Sequence, residues 1–542
     1  MSERHGIGRA SALLASGSIV SRALGFARIA VLAAAIGVVG SPGADAYQTA
    51  TIVPNSIYAI IGGGLLTAVL VPQIVRASRD ADGGAGYINK LTTIALIGLG
   101  AVAIVATALS PVLMQLFGVR GDALPLATAF AFWSLPQIFF LGLYTVLGEV
   151  LNARRSFGPF TWAPVLNNVV ALATLGSIVL LFGANPGRSV QQYSPGLIAL
   201  LAGGATLGIA AQALVLTLAW RRAGLTYRPD FRWRGVNLGA TGRAGAWTFG
   251  MLIATQVAGA VETNIANIAA GTSSVAVMST SWLIFMLPHG IITVSLITVF
   301  YPRMSEHAAS GDLAAVRADV AQAVRILLLV VVAADAALLV AALPFARFFT
   351  DSAAQAGAMA AVLIGYLVGL LPFTLLFVVQ RAFYSLADTR TPFLFTMAQV
   401  VVIVAGVLAC SALPTGAIAA GIALVVTLAT TIQLAIAAVL LRRRLGGLGG
   451  RPVVAATARY LLAGAVAAGV GVVLLILLGG FDDGFAVASK GLGLLTTALI
   501  GLTVAVVYTA VLLALKSPEL GVAIDLIKAR IAPTVTPLDR VE

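Results

Sequence analysis

Long apolar stretches separated by short polar loops recur along the whole chain. Fourteen of them, at about 11–38, 46–76, 87–117, 123–152, 161–184, 195–221, 240–271, 275–304, 322–349, 355–387, 391–411, 415–441, 457–480 and 490–516, reach the roughly 20 residues that a helix needs to cross a hydrocarbon core. The pattern predicts an all-α integral membrane protein with about 14 transmembrane helices. Composition agrees, because 60% hydrophobic residues, 10% charged residues and a mean hydropathy of +1.01 lie outside the range of soluble domains. The first stretch follows Arg4 and Arg9, as the core of a signal peptide would. Arg22 and Arg28 interrupt it, so it is expected to be retained as a span.

The loops fix an orientation. With the N-terminus in the cytoplasm, Arg76, Arg79, Arg154, Arg155, the run from Arg221 to Arg243, Arg303, Arg317, Arg390, Arg442, Arg443, Arg444 and Arg451 all fall on the inner side. The other side keeps only Arg120, Arg188, Arg347 and Lys490. This asymmetry obeys the positive-inside rule and puts both termini in the cytoplasm. It also explains the net charge of +13 through inner loops beside anionic headgroups, so nucleic acid is not an expected partner. Cys410 is the only cysteine, which rules out an internal disulfide.

A weak duplication organises the chain. Leu65 to Gln73, near the end of the second stretch, resembles Ser295 to Arg303, near the end of the eighth, at an offset of 230 residues that Asp82 and Asp312 share. Leu135-Pro136 in the fourth stretch, leading to Leu151 to Phe160, recurs as Leu371-Pro372 in the tenth, leading to Leu386 to Phe393. Six spans separate each pair, so the copies share an orientation. That is the plan of two six-helix bundles related by an axis along the membrane normal, with a site between them. The expected organisation is an N-terminal six-helix lobe at 1–229, a C-terminal six-helix lobe at 230–450, two extra helices within 451–516 and a short cytoplasmic tail at 517–542.

Charged groups inside spans mark the candidate site. An arginine at mid-bilayer costs at least about 2.5 kcal/mol, and such residues usually face a polar interior. Arg22 and Arg28 are six residues apart, which on an ideal helix separates them by about 120° and about 9 Å. Their reach, with Gly25 between them permitting a bend or a close approach, suits a ligand carrying two phosphates, since guanidinium groups pair with phosphate oxygens. The alternative is a structural role, with one arginine reaching an interface or pairing with a carboxylate. Glu262, with Asn264 and Asn267 nearby, forms a second candidate: a carboxylate with amide oxygens suits Na+, and a desolvated carboxyl suits H+. Glu262 would otherwise pair with Arg28 or form an interhelical hydrogen bond. Asp335 and Arg381 read as structural or interfacial, and His289 as a core histidine. Neither a metal cluster nor a hydrolytic constellation is visible, so no enzymatic activity and no cofactor are expected.

Several motifs together resemble one family. Ser21-Arg22-x-Leu24-Gly25-Phe26-x-Arg28, Ala44-Asp45-Ala46-Tyr47, Val53-Pro54-Asn55 and Val71-Pro72 are similar to the opening signature of the MurJ (MviN) family, the lipid II flippases of the multidrug/oligosaccharidyl-lipid/polysaccharide exporter superfamily. Pro136 to Leu143, Leu151-Asn152-Ala153-Arg154-Arg155-x-Phe157, Ala163 to Asn168, Leu287-Pro288-x-Gly290-Ile291 and Pro302-x-Met304-Ser305 extend the resemblance, which covers about residues 10 to 450. It implies a protein of the bacterial cytoplasmic membrane. Its task would be to move lipid II, the undecaprenyl-pyrophosphate-linked peptidoglycan precursor, from the inner to the outer leaflet by alternating access. Energy would come from Na+ or H+ coupling or the membrane potential. The resemblance places Asp45 with Arg22 and Arg28 in the substrate-handling set, where it would pair with an arginine in one access state; a solvated loop aspartate is the alternative.

The chain also departs from the family. Charged positions of better-known members align with Tyr58, Gly63 and Leu283, so the cavity carries fewer fixed positive charges. A family cation site in the eleventh and twelfth spans would meet only Gln399, Thr427 and Thr430. The last two spans would form a groove for the polyprenyl tail, or simply pack. The departures leave two other functions open: export of another lipid-linked saccharide, and a non-transporting scaffold for cell-wall synthesis proteins.

Overall fold

The computed structural model describes residues 2–66, 84–154, 156–231, 242–481 and 484–521. Val71-Pro72, Asp82, Arg76, Arg79 and Arg155 lie outside the described residues. Helices occupy all fourteen expected positions. They are α1 (Ser2–Ile36), α2 (Pro42–Tyr58), α3 (Ala85–Ala108), α4 (Ala123–Ala153), α5 (Phe157–Phe182), α6 (Pro195–Arg222) and α7 (Gly242–Ala266). Then follow α8 (Val275–Ala309), α9 (Leu313–Phe349), α10 (Ala353–Ser385), α11 (Arg390–Cys410), α12 (Thr415–Leu445), α13 (Gly450–Leu477) and α14 (Lys490–Ala514). Among the described residues, eleven are long and apolar enough to cross a membrane unaided. The three that miss that threshold are α1, α2 and α7. The chain is a multi-pass, all-α membrane protein.

Three of these helices change winding, α6 at Ala199–Gly203 and two others at matched places. α2 passes into a π-helical segment at Ala59–Leu66, and α8 contains one at His289–Thr293. Both begin at positions 230 residues apart, the offset of the sequence duplication. A π segment widens the helix by one residue per turn and recurs at functional sites. Breaks also recur in the fourth and tenth spans: α4 is interrupted at Leu135-Pro136, and α10 at Val368-Gly369, three residues before Leu371-Pro372. Proline removes a backbone donor and crowds the preceding turn, which is why these helices restart beside it.

The chain forms two compact units, each drawn from several stretches of sequence. The first comprises Met1–Trp282, Phe348–Gly365 and Thr389–Ala429; the second comprises Leu283–Arg347, Tyr366–Asp388 and Thr430–Glu542. One core of the first unit joins α3, α4 and α6 through Ile88, Leu99, Val146, Val150, Leu216 and Trp220. The Trp220 indole N–H donates to the Leu147 carbonyl at 3.0 Å, which satisfies the one polar atom of that side chain.

In the second unit α9 packs against α13 and α14 along stripes of i, i+4 spacing. Leu328, Val332, Ala336 and Val340 of α9 meet Tyr460, Ala463 and Ala467 of α13 and Ile500, Val504, Tyr508 and Leu512 of α14. A Cβ on Gly464 would lie 2.7 Å from Val332 Cγ1, so this crossing needs the missing side chain. At the start of α9, Asp319 is buried and bonds Arg303 Nη2 at 2.7 Å and His307 Nδ1 at 2.8 Å. Asp312 accepts from the Ala315 N–H at 2.8 Å and caps α9.

Candidate functional site

α1 is held against α5 by a stripe at positions 17, 21 and 25. Asn168 Nδ2 donates to the Ser21 carbonyl at 2.9 Å and lies 3.3 Å from Ser21 Oγ. A Cβ on Gly17 would stand 2.9 Å from the Trp162 indole nitrogen, which makes this the close approach. On Gly25 it would meet Asn168 at an ordinary 3.8 Å. The bend or close approach expected at Gly25 is therefore not used: α1 runs unbroken from Ser2 to Ile36, and the tight contact lies two turns earlier.

This anchoring sets the two arginines. Arg22 follows the pinned Ser21 and is exposed, whereas Arg28 is half-buried. Arg28 has no carboxylate within ion-pair distance among the described residues and lies within electrostatic reach of the Tyr47 hydroxyl on α2. Phe26, between them, stacks on Phe348 at 6.0 Å and meets Phe349 edge-on at 5.8 Å. The two guanidinium groups therefore sit on a helix fixed on both flanks.

Asp45 is 1% exposed and makes no ion pair among the described residues. Its Oδ1 accepts from the Ala276 N–H at 2.9 Å, in the first turn of α8, and its Oδ2 accepts from the Gly271 N–H at 3.0 Å. A carboxylate at a helix N-terminus meets unpaired N–H groups and the positive end of the helix dipole. The solvated-loop alternative does not hold for this residue. The position follows from the local chain: Ser41 caps α2 by accepting from the Ala44 N–H at 3.2 Å, and Pro42 occupies the first helical turn.

Further bonds close the same end of the first unit. The Gly40 N–H donates to the Thr272 carbonyl at 2.7 Å, and Gln355 Nε2 donates to the Val39 carbonyl at 3.2 Å. Asn267 Nδ2 donates to Thr49 Oγ1 at 3.1 Å and to the Phe117 carbonyl at 2.9 Å; Asn264 Nδ2 donates to the Leu116 carbonyl at 2.8 Å. Gly118 has φ +88, and a Cβ there would lie 2.5 Å from the Asn264 carbonyl oxygen. Only glycine fits. A pocket of about 240 Å³ opens beside this layer, lined among others by Asp45, Arg120 and Asn267.

The remaining candidates fall elsewhere. Glu262 is half-buried and has no hydrogen bond or ion pair among the described residues, while Asn264 and Asn267 spend their amide hydrogens on the bonds just described. Tyr58 bonds Thr145 through its hydroxyl, Gly63 lies in the π segment of α2, and Leu283 is exposed. Thr427 donates to the Gly365 carbonyl at 2.7 Å. His289 is buried against Phe373 and Phe377, with ring centroids 4.7 and 5.1 Å away, as a core histidine would be. Sequence reasoning did not single out Thr49, Gly118, Gly271 or Ala276. The two backbone donors carry no side-chain signal, and an isolated glycine or threonine in an apolar chain stands out little.

Residues 32–490 match the family described as "Lipid II flippase MurJ". A probable lipid II flippase MurJ of Borreliella burgdorferi is 23% identical over 403 residues, covering 71% of this chain and 75% of the relative. One of Haemophilus influenzae is 28% identical over 404 residues, covering 69% and 75%. The lipid II flippase MurJ of Burkholderia cenocepacia is 25% identical over 391 residues, covering 69% and 72%. Among solved structures, a lipid II flippase MurJ in an inward closed conformation superposes with a TM-score of 0.70 at 17% identity, over 92% of this chain and 99% of that one. An inward-facing MATE-family multidrug transporter gives 0.56 at 16% identity, over 76% and 94%. The family match spans most of the sequence, and the chain belongs to the lipid II flippase MurJ family.

Proposed function

We propose that this chain moves lipid II from the inner to the outer leaflet of a bacterial cytoplasmic membrane by alternating access between two six-helix lobes, with both termini in the cytoplasm. Family membership supports the reading. The observation that carries it is α1, where Ser21 bonded to Asn168 presents Arg22, and Arg28 follows without a carboxylate partner among the described residues. Guanidinium groups on a spanning helix suit a pyrophosphate, whose oxygens accept paired, charge-assisted hydrogen bonds.

Asp45 supplies the gating step. In the proposed orientation its end of the first unit is the outer one, and its bonds to Gly271 and Ala276 hold that end shut. Headgroup entry from the cytoplasm fits this arrangement. Release to the outer leaflet then requires both bonds to break, which makes Asp45 a latch rather than a headgroup ligand in this state. Glu262 is the proposed coupling group of the first unit, since it is the one member of its trio without a partner among the described residues. Docking of cell-wall synthesis proteins belongs to the same reading.

Native mass spectrometry of the purified chain with lipid II, against a neutral polyprenol, tests the site. Selective binding that is lost in Arg22→Ala/Arg28→Ala is the expected result. Equal binding of the neutral lipid would refute a pyrophosphate-reading cavity. Rescue of a flippase-depleted strain by the intact chain but not by the double variant separates transport from the scaffold reading.

A further inference from the structure

The second unit holds a carboxyl group that nothing in the substrate path uses. Asp335 stands at the midpoint of the apolar stretch 322–349 of α9, so each end of that stretch is about 20 Å away along the axis. From Ile326 to Ala346 it is the only polar side chain on the helix. It is 5% exposed, and its Oδ1 is buried without a hydrogen-bond partner among the described residues.

No cation among the described residues neutralises it there. On α9 itself Arg325 and Arg347 are ten and twelve residues away, about 15 and 18 Å along the axis. Both are engaged, Arg325 with Glu519 at 3.3 Å and Arg347 with the Val487 carbonyl at 2.7 Å. Asp319, further back, is taken by Arg303 and His307. From α13 and α14, Tyr460 and Tyr508 enter the core beside Val332 and Ala336. From α10, Leu371 and Leu375 pack on the same core, while the Arg381 guanidinium lies over the Phe377, Tyr301 and Tyr384 rings at 4.8, 5.7 and 5.9 Å. His289 of α8 is enclosed by Phe373 and Phe377.

An ionised carboxylate in such surroundings would lack both counter-charge and solvent, a state that buried groups avoid by taking up a proton. A metal ion would need several further oxygen ligands, and the flanking turns of α9 offer only Val331, Val332, Leu338 and Leu339. A proton needs no other ligand. An acid kept only for packing would do better with its oxygen bonded, because leaving a buried hydrogen bond unmade is costly. Ionisable groups retained at this depth mark ion and proton paths.

We infer that Asp335 is an exchangeable proton-binding site in the second unit, carrying its proton in the state seen here and releasing it when that face of α9 becomes hydrated. That the proton helps to drive transport rests on the flippase reading; its presence on Asp335 does not.

Infrared difference spectroscopy of the purified chain in lipid nanodiscs, titrated with acid and alkali in H2O and D2O, tests this directly. The expected result is a protonated-carboxyl carbonyl band at pH 7 that shifts in D2O, gives way to carboxylate at alkaline pH, vanishes in Asp335→Asn and moves in Asp335→Glu. Asparagine mimics the neutral acid in shape, so the variant should fold, and Glu262→Gln serves as a control that leaves the band in place. A wild-type spectrum without an Asp335-dependent band at pH 7 overturns the inference, as does a band that neither exchanges nor titrates. In proteoliposomes, Asp335→Asn should abolish the dependence of flipping on an imposed pH gradient while lipid II binding by native mass spectrometry persists. An unchanged gradient dependence would remove Asp335 from coupling. Absence of lipid II binding in the wild type would instead count against the flippase reading and leave the infrared result standing.

Discussion

Replacing Asp45 by asparagine preserves the volume of the latch and removes its charge. The carboxylate now receives two backbone N–H groups, at 2.9 and 3.0 Å, with 1% of the residue exposed. Asparagine offers one carbonyl oxygen and turns an NH2 group toward the other donor, leaving a buried N–H unpaired at a cost of about 1–3 kcal/mol. Loss of the charge from the first turn of α8 adds about 0.3–2 kcal/mol. A combined loss of about 1.3–5 kcal/mol corresponds to a roughly 10- to 4,000-fold rise in the open population, at about 1.4 kcal/mol per factor of ten. Ala50, wholly buried in α2 about one turn further in, reports opening. With Ala50→Cys in a Cys410→Ser background, labelling by a membrane-impermeant maleimide from outside should be slow in the parent and accelerate by that factor in Asp45→Asn. The ceiling is set by full opening. Labelling rates within twofold of each other would refute the latch.

Three further changes have outcomes set by local geometry. Gly118→Ala places a Cβ 2.5 Å from the Asn264 carbonyl oxygen at a φ of +88, so thermal unfolding in detergent should show a loss of about 1–3 kcal/mol; an unchanged midpoint would contradict the packing described here. Asn168→Ala removes the bond that pins Ser21, worth about 0.5–1.5 kcal/mol, and should weaken lipid II binding by releasing Arg22 and Arg28 from their orientation; native mass spectrometry reads this, and full affinity would refute the anchoring role. Burial raises the Glu519 carboxyl, but hydrogen-bond donors, Ser517 among them, and the Arg325 charge outweigh it and hold the group below its ordinary value. Its contribution is therefore complete above about pH 4.3 and fades as pH falls through the lower folded value, so the stability gap between wild type and Glu519→Gln should be open at pH 7 and close in acid. A gap that widens in acid would reverse the sign of this account.

The architecture was largely readable because the bilayer imposes it: a backbone that must satisfy its own hydrogen bonds in hydrocarbon leaves helices as the outcome for long apolar stretches. Among the described residues all fourteen stretches are helical for that reason. The π segments at Ala59 and His289 start at the offset of the motifs near Leu65 and Ser295. Their winding was not legible, because a slip of the hydrogen-bond ladder changes no residue type. Asp45 shows the same limit from the side of chemistry. Its sequence context invites a search for an arginine, yet it accepts from backbone N–H groups 226 and 231 residues away, which have no identity in the sequence, with the Ser274 side chain beside them. Beside Glu262 in the sequence, Asn264 and Asn267 offer amide oxygens, whereas the fold commits their hydrogens, and which end of an amide is used depends on neighbours brought in from α2 and from Leu116 and Phe117.

The loop arginines show how structure refines a count of charges. Four basic residues stand against the proposed orientation, Arg120, Arg188, Arg347 and Lys490, and a tally weighs each as a potential headgroup anchor. Arg188 is 8% exposed, donates to the Phe182 and Gly183 carbonyls at 3.2 Å and so finishes the C-terminus of α5. Arg347 is 9% exposed and donates to the Val487 carbonyl at the end of α9. Neither offers its charge to lipid. Both complement the negative ends of helices that terminate on that side, where a cation is favourable whatever the membrane orientation. The inner block at Arg442, Arg443 and Arg444, by contrast, lies in the last turn of α12 with its side chains exposed. Of the four charges that oppose the positive-inside orientation, Arg188 is thus a helix cap and Arg347 is committed to a loop carbonyl.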